Sequence, residues 1–228
     1  MPSKFTYLLI DIATIIVPFV FSFHPKIKFH KTWKAFWSAN IIIALLFIFW
    51  DILYTYLGVW GFNDKYICGL KLFNLPIEEV LFFICIPYAS TFTYHCFKLF
   101  IKNKKVDVKY VSLFLSILLI VIGLMFISNL YTSVTCITLG SFIIFLTFIA
   151  KVNWLQNFYL CYLVILLPFF IVNGILTGSW INEPIVWYNN QENLHIRLLT
   201  IPVEDIFYGM LLLMLNTGLY ERFSKQRA

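Results

Sequence analysis

The sequence predicts an all-α membrane protein with about seven transmembrane helices, built as two parallel three-helix repeats joined by a linker helix. Hydrophobic residues make up 61% of the 228 residues and charged residues only 12%, about half the charge of a soluble domain of this length. Apolar runs of about 18 residues or more recur along the chain, as expected of membrane-spanning helices. A proline-acid-acid motif occurs once in each half. These three observations define the predicted fold class.

The apolar runs define seven predicted spans. The first run is longer than the hydrophobic region of a signal peptide and no A-x-A-like site follows it, so we interpret it as a span and not as a cleaved leader. Pro18, Pro87 and Pro168 fall inside predicted spans, where a membrane protein tolerates kinks. The predicted spans are 5–23, 35–57, 76–101, 108–128, 131–150, 154–177 and 202–223.

Basic residues separate into two groups when the predicted spans alternate across a membrane. The positive-inside rule assigns the larger group to the cytoplasm. We therefore predict a multi-pass cell (inner) membrane protein with its N-terminus outside and its C-terminus in the cytoplasm. The predicted external group has four members, Lys4, Lys65, Lys71 and Arg197. The predicted cytoplasmic group has thirteen members, Lys26, Lys28, Lys31, Lys34, Lys98, Lys102, Lys104, Lys105, Lys109, Lys151, Arg222, Lys225 and Arg227.

The proline-acid-acid motif that begins at Pro76 has a close counterpart at Pro202. A basic residue, Lys71 or Arg197, stands five positions before each proline. The match extends over seven positions and preserves residue type at each of them. The first copy consists of Pro76, Ile77, Glu78, Glu79, Val80, Leu81 and Phe82, and the second of Pro202, Val203, Glu204, Asp205, Ile206, Phe207 and Tyr208.

This repeat divides the chain into three parts. We predict a first three-helix repeat at residues 1–101, a linker helix at 102–130 and a second three-helix repeat at 131–228. Equivalent spans lie four apart, so the halves are predicted to be parallel and related by an axis along the membrane normal. Both acidic motifs are then expected on the same, external side.

Each motif opens a predicted helix. Proline suits the first helical position, and acids in the first turn are stabilised by free backbone N–H groups, so an ordinary helix start would account for either motif alone. Asp11 and Asp51 also lie within spans towards the same end, so that six of the eleven acids concentrate there. Ionisable residues inside a membrane usually mark a functional site. We therefore predict four catalytic acid–base residues, Glu78, Glu79, Glu204 and Asp205.

Roles within the pairs are predicted from helix geometry. Glu78 and Phe82 are four residues apart and share a helix face, as do Glu204 and Tyr208. We predict that this face lines the chamber and that Glu78 or Glu204 donates a proton beside an aromatic ring. The other member of each pair would then support the donor.

Four further residues are candidates for support or substrate binding. Asp51 aligns approximately with Asn173, so one half offers an acid and the other an amide, and a helix–helix hydrogen bond is an equally good explanation. Lys71 and Arg197 are either counterions of the acids or anchors in the headgroup region.

Several functional classes lack their signatures. The five cysteines show no C-x-x-C spacing or pairing with histidine, so no metal site is predicted. No dinucleotide, P-loop, nucleophile-elbow or H-E-x-x-H motif occurs. The net charge of +6 is explained by membrane orientation, so no nucleic-acid partner is predicted.

At its two motifs the sequence resembles the membrane-embedded lycopene cyclase family, whose members occur as two small subunits or as one fused, c/d-type chain. Members carry proline-x-Glu-Glu in one half and proline-x-Glu-Asp in the other, which here are residues 76–79 and 202–205. The stretch 173–178 also resembles the second half of the family. The resemblance covers nearly the whole chain, although the loop between Trp180 and Arg197 aligns poorly with the first half.

The resemblance implies a lycopene β-cyclase, an enzyme of the intramolecular lyase or isomerase type. A carboxylic acid would protonate the terminal double bond of a ψ end, the neighbouring double bond would close a six-membered ring, and a carboxylate would remove a ring proton. No net electrons move, so no cofactor is predicted. The expected partners are lycopene and membrane lipid. The ring isomer, the number of ends closed, the proton-donating acid, a need for a reduced cofactor or lipid and the oligomeric state stay open.

Two other classes also fit seven spans. A transporter with three-plus-one-plus-three parallel repeats is the main alternative, but its coupling acids would be expected near the membrane midplane. A retinal photoreceptor requires a lysine in the last span, and residues 201–220 contain none.

Overall fold

The computed structural model describes residues 4–101 and 106–225. These residues form seven α-helices: α1 (Thr6–Phe21), α2 (Trp33–Tyr56), α3 (Ile77–Phe100), α4 (Lys109–Met125), α5 (Leu130–Ile144), α6 (Leu155–Thr177) and α7 (Val203–Lys225). A π-helical segment, Phe145–Ile149, continues α5. Six short strands lie between the helices: β1 (Trp60–Phe62), β2 (Lys71–Leu72), β3 (Leu75–Pro76), β4 (Val186–Tyr188), β5 (Arg197–Leu198) and β6 (Ile201–Pro202).

Four helical segments are long and apolar enough to cross a membrane, namely Phe29–Tyr56, Ile77–Phe100, Leu130–Ile149 and Leu155–Thr177. α1 and α4 are apolar but shorter. Large apolar side chains such as Val17, Leu45 and Phe114 are exposed on the outer surface, which suits contact with lipid. The chain is therefore a mainly helical, membrane-associated protein, while the count of seven spans stays a prediction.

The helices of the two halves interleave. α1 packs on α3 and α5 packs on α7, so each motif-bearing helix is flanked by the first helix of its own half. α2 packs on both α3 and α7, and α6 also contacts both of them. α3 and α7 therefore lie at the centre of the bundle. The predicted parallel relation of the repeats and the three-part division stay predictions, and residues 102–105 of the predicted linker lie outside the described residues.

α4 is held against α5 by a close approach of small residues. A Cβ atom on Gly123 would lie 3.1 Å from the carbonyl oxygen of Ser133, and one on Gly140 would lie 2.9 Å from that of Ser116. Small residues let helix backbones approach in this way in membranes. α4 thus belongs to the side of the bundle formed by α5.

The two motifs have the same local structure. A hairpin precedes each helix, with Lys71 paired to Pro76 in β2–β3 and Arg197 paired to Pro202 in β5–β6. The first residue of each helix is tied back to the loop. The amide of Ile77 donates to the carbonyl of Leu70 at 2.9 Å, and the amide of Val203 to that of Ile196 at 3.0 Å. The sequence repeat is therefore also a repeat of backbone hydrogen bonds at the helix starts.

The loops 57–76 and 178–202 together form a cap over one end of the bundle. β1 and β4 pair antiparallel across the two halves, with Trp60 opposite Tyr188 and Phe62 opposite Val186. A Cβ atom on Gly61 would overlap the indole ring of Trp187, so any larger residue would require that exposed ring to move. The cap joins the halves by backbone hydrogen bonds.

A polar cluster joins α3 and α7 at the opposite end. Lys98 forms an ion pair with the buried Glu221, and the hydroxyl of Tyr94 donates to the same carboxylate at 2.8 Å. Nearer the middle of the helices, the amide of Asn216 donates to the hydroxyl of Thr91 at 2.8 Å. Of the predicted cytoplasmic basic group, Lys102, Lys104, Lys105 and Arg227 lie outside the described residues, and the sidedness of the membrane stays a prediction.

Candidate active site

A cavity of about 460 Å³ lies between α1, α3, α6 and α7, beneath the cap. Its walls are mainly apolar, with Ile86 and Ala89 on α3 and Val172 on α6 among them. Along α3 the lining extends from Glu79 to Thr93, which is roughly 21 Å of helix at about 1.5 Å per residue. The cavity is thus a long slot with carboxylates at the capped end.

The first carboxylate in this cavity is Glu79, from the first turn of α3. The hydroxyl of Tyr7, the second residue of α1, donates to its Oε2 at 2.5 Å. Both side chains are buried and line the cavity. Glu79 is therefore fixed in place by a tyrosine of its own half.

The second carboxylate is Asp205, which occupies the equivalent position on α7. Its Oδ1 accepts from the hydroxyl of Tyr131 at 2.6 Å. Its Oδ2 accepts from the hydroxyl of Tyr188 at 2.9 Å and from the amide of Asn173 at 3.2 Å. Tyr131 is the second residue of α5, as Tyr7 is of α1. The tyrosine–acid pair is therefore repeated, but Asp205 has two donors that Glu79 lacks.

Tyr188 stands in the cap and so outside the helical spans. Burial raises the pKa of its hydroxyl well above the ordinary value, and the nearby carboxylate of Asp205 raises it further. Tyr188 therefore keeps its proton and acts only as a donor to Asp205.

Glu78 and Glu204 are buried but do not line the cavity. Their Oε1 atoms accept backbone amides of the preceding loops, from Cys68 at 2.6 Å and from Leu194 at 2.7 Å. The hydroxyl of Thr132 also donates to Glu204 at 2.6 Å. These two acids thus fasten each loop to the start of its helix.

The predicted orientation of the acid pairs is wrong. Phe82 and Tyr208 line the cavity as expected, but the acids beside them are Glu79 and Asp205, three residues earlier, and not Glu78 and Glu204. Positions three and four residues apart are both neighbours on a helix, so spacing alone did not distinguish them. The loops decide, because they offer amide donors only to the first acid of each pair.

Two further acids lie near this site. Asp51 on α2 lines the cavity, and its Oδ2 is buried with no partner in residues 4–101 or 106–225. Asp11 on α1 is 1% exposed, and neither of its oxygens has a partner within the same ranges, but it is not part of the cavity wall. Asp51 and Asn173, which the sequence aligns, both line the cavity. Asn173 also forms a hydrogen bond between helices, from its amide on α6 to Asp205 on α7.

The counterion interpretation is wrong for Lys71 but not for Arg197, whose positive charge acts on the carboxylate of Asp205. Lys71 is at the surface, 3.0 Å from Asp64. The guanidinium of Arg197 lies 5.8 Å from the ring centre of Tyr188 and donates to the carbonyl of Thr200 at 2.7 Å. Arg197 therefore supports a tyrosine that holds Asp205, whereas Lys71 has no contact with the site.

Comparison with models of protein families matches residues 4–97 and 128–223 to lycopene cyclase. The chain belongs to the lycopene cyclase family. No curated protein matches, and neither does any solved structure. The matched segments contain every residue of the cavity wall, and the segment between them, 98–127, contributes none.

Membership of the lycopene cyclase family supports a carotenoid cyclase with a carotenoid substrate. The mainly apolar cavity and the apolar helices agree with a hydrocarbon substrate that dissolves in the membrane. Nothing in the comparisons supports the transporter alternative.

Aromatic rings surround the carboxylates of this cyclase. The ring centre of Trp60 lies 5.1 Å from that of Tyr131 and 5.9 Å from that of Tyr208. The rings of Tyr131 and Tyr188 stack at 6.0 Å. The hydroxyl of Tyr208 is buried without a partner in the described part of the chain. Aromatic rings can stabilise a cation through their π faces.

Sequence reasoning did not identify Tyr7 and Tyr131. Each stands at the start of the first span of its half, so extending the repeat upstream from the acidic motifs would have aligned them. The other donor, Tyr188, lies in a loop without a counterpart in the first half, and no sequence pattern indicated its role.

Proposed function

We propose that this cyclase closes the ψ ends of lycopene to β-ionone rings by protonation and deprotonation, in one site shared by the two halves. In this proposal Glu79 donates the proton and Asp205 accepts it. The observation that carries the proposal is a single apolar cavity into which each repeated motif contributes one acid, each bonded to the tyrosine that begins a helix.

The reaction balances without an electron donor or acceptor. Glu79 transfers its proton to the inner carbon of the terminal double bond, and a tertiary cation forms on the outer carbon, which carries the two methyl groups. The nearby internal double bond attacks this cation, which forms the ring bond and moves the positive charge to a ring carbon. Asp205 then removes the adjacent ring proton, and the electrons of that C–H bond become the ring double bond. General acid–base catalysis of this kind typically contributes about 10²–10⁴-fold.

The different surroundings of the two acids support these roles. Asp205 accepts three hydrogen bonds from Tyr131, Tyr188 and Asn173, and donors stabilise the charged form of a carboxylate. Glu79 accepts one, from Tyr7. It shares the cavity with Asp51 and Asp205, and crowded carboxylates cannot all be ionised. Asp205 is thus suited to be the base and Glu79 the acid.

The aromatic walls suit the intermediate. The rings of Trp60, Tyr131 and Tyr208 stand around the carboxylates, where the positive charge would move from chain to ring. Cation–π contacts contribute about 2 kcal/mol or more when they are desolvated. A mainly apolar cavity also keeps out water, which would otherwise capture the cation as an alcohol.

Expression in a host that accumulates lycopene tests the proposal. We expect chromatography of the pigments to show carotenes with β-ionone rings. In deuterated water, with enzyme in excess over lycopene, each ring should carry one deuterium, because the carbon protonated by the exchanged Glu79 keeps that hydrogen. Unchanged lycopene in membranes that contain the protein would refute the proposal, and rings without deuterium would refute the protonation step.

A further inference from the structure

The cavity is too small for a whole carotene. A volume of about 460 Å³ lies within the ~300–1,000 Å³ range of sites for drug-sized ligands. A linear carotene is longer than the slot along α3. With one end group at the carboxylates, the rest of the chain must therefore leave the cavity through an opening.

Such an opening lies between α1 and α6. Ala13 on α1 and Pro168 and Ile171 on α6 belong to the cavity wall and are also exposed on the outside of the bundle. α1 packs along α3 and has only sparse contact with α6. We name the gap between Ala13, Pro168 and Ile171 the α1–α6 opening.

The α1–α6 opening lies halfway along its two helices, where it would face lipid. Ala13 is in the middle of α1, and Pro168 is in the middle of α6. The end of the cavity that contains the acids is covered by the cap, in which β1 pairs with β4. An opening halfway along apolar helices faces the hydrocarbon part of a bilayer and not water.

The chemistry of the α1–α6 opening suits an apolar chain. Its rim consists of alanine, proline and isoleucine side chains. Thr14, the polar residue beside Ala13, donates its hydroxyl to the carbonyl of Ile10 at 2.9 Å. This rim therefore offers no unpaired donor to a lipid headgroup or to a hydroxylated substrate.

We infer that linear carotene enters this site sideways from the bilayer through the α1–α6 opening, and that the unreacted part of the chain lies in the opening while one end cyclises. The inference depends on the proposed function for the identity of the chain. The proposed occupant of the opening is the carotene. A lipid acyl chain in the same gap is the alternative that the test distinguishes.

A reversible bridge across the opening provides the test. In the double variant Ala13→Cys/Ile171→Cys, a bifunctional thiol reagent that can be released by reduction would join the two walls. We expect cyclisation of lycopene in membrane vesicles to fall at least tenfold after bridging and to return after reduction. Recovery excludes unfolding as the cause.

A pair of tryptophan variants provides an independent test. Ala13→Trp places a large ring in the opening and should lower turnover at least tenfold. Ile12→Trp adds a similar ring at the adjacent position, which is 46% exposed and outside the cavity wall, and should retain near-wild-type turnover.

The outcomes distinguish the inference from the proposed function. If the wild type forms no rings, the proposed function fails. If the wild type and the bridged variant cyclise lycopene equally well, the function stands and the route is wrong, as it would be if lipid occupied the gap. Equal losses in Ala13→Trp and Ile12→Trp would also contradict the inference.

Discussion

Adjacent acids in each motif have different environments, and this difference can be measured by substitution. Glu79 faces the cavity, whereas Glu78 accepts the amide of Cys68 through one oxygen. A glutamine at position 79 cannot donate an acidic proton. A glutamine at position 78 still offers an oxygen to the same amide.

We expect Glu79→Gln to lower turnover by at least about 100-fold, the usual range for loss of a general acid, and Glu78→Gln to keep a substantial part of it. Ring formation in vesicles with equal amounts of membrane-inserted protein would measure both. Asp64→Asn, at an exposed position, is the control. An inactive but folded Glu78→Gln variant beside an active Glu79→Gln variant would reverse the assignment.

The tyrosine hydroxyls position the acids. Tyr131→Phe removes one of the three donors to Asp205, and a hydrogen bond to a charged group contributes about 1.5–3 kcal/mol. We therefore expect turnover to fall about 10–100-fold, with the protein still inserted. Tyr110→Phe removes a hydroxyl at a position that is 82% exposed on α4 and should have no effect. Equal turnover in the two variants would exclude a positioning role for Tyr131.

Asp51 is suited to return the proton. After one ring closes, the proton is on Asp205 while Glu79 needs one, and Asp51 is a third carboxyl group in the same cavity with an unpaired oxygen. We expect Asp51→Asn to form one ring per enzyme at near-normal rate and then to slow at least tenfold. The first ring would be measured with enzyme in excess over lycopene, and the later turnovers with lycopene in excess over enzyme. An equal loss in both phases would place Asp51 in the chemical step instead.

The sequence identified the two acid pairs as candidates but not which member of each pair faces the cavity. The repeat and the membrane context identified Glu79 and Asp205 as candidates. Which acid faces the cavity depends on the loop amides of Cys68 and Leu194, and such contacts between a loop and a helix start leave no periodic pattern in a sequence.

Among the elements, the cap depends on one close approach. β1 passes against Trp187 at Gly61, where any Cβ would overlap the indole ring. Overpacking of this kind typically costs about 1–3 kcal/mol. Because β1 and β4 also place Trp60 and Tyr188 at the cavity wall, displacement of these paired strands should disturb the hydrogen bond from Tyr188 to Asp205.

We expect Gly61→Ala to lower both the melting temperature in detergent and the turnover. Gly218→Ala is the matched control, because a Cβ there would meet Trp154 at ordinary contact distances of 3.4 Å and 3.7 Å, and alanine is favoured over glycine in a helix by about 1 kcal/mol. A Gly61→Ala protein with unchanged melting temperature and turnover would show that the cap adapts freely.

The helices were more predictable than the cap. The bounds of the expected segments 76–101, 154–177 and 202–223 correspond closely to those of α3, α6 and α7, because apolar runs and the proline-acid starts are strong local signals. α7 is nevertheless not among the helices that are apolar enough to cross a membrane. β1 and β4 have three residues each, which is too short for a period of two to be recognised. Their pairing across the halves depends on contacts between distant loops.

For the whole molecule, the pairing of helices between the halves was not predictable. Helices that are apolar on every side carry no stripe to indicate which face meets which partner. The contacts of α2 with α7 and of α6 with α3 could therefore not be predicted from the sequence, whereas the division of the chain into two halves was predicted.

The orientation in the membrane is a prediction about the whole molecule. The uneven distribution of basic residues places the N-terminus outside and the C-terminus inside. Reporter fusions at the two ends should be active on opposite sides of the membrane, with the C-terminal one active in the cytoplasm. A C-terminal reporter active only outside would refute this orientation, and two reporters active on the same side would refute an odd number of spans.

The absence of α4 from the cavity wall, within the described residues, has a genetic consequence. Everything that forms the site stands before Ile101 or after Leu130, and the two sets meet through packing and the β1–β4 ladder and not through the peptide chain between them. One gene could therefore be divided between Ile101 and Val106 into two cistrons whose products assemble. Neither product would be active alone. Two inactive alleles, one altered at Glu79 and the other at Asp205, could then complement each other by exchanging halves.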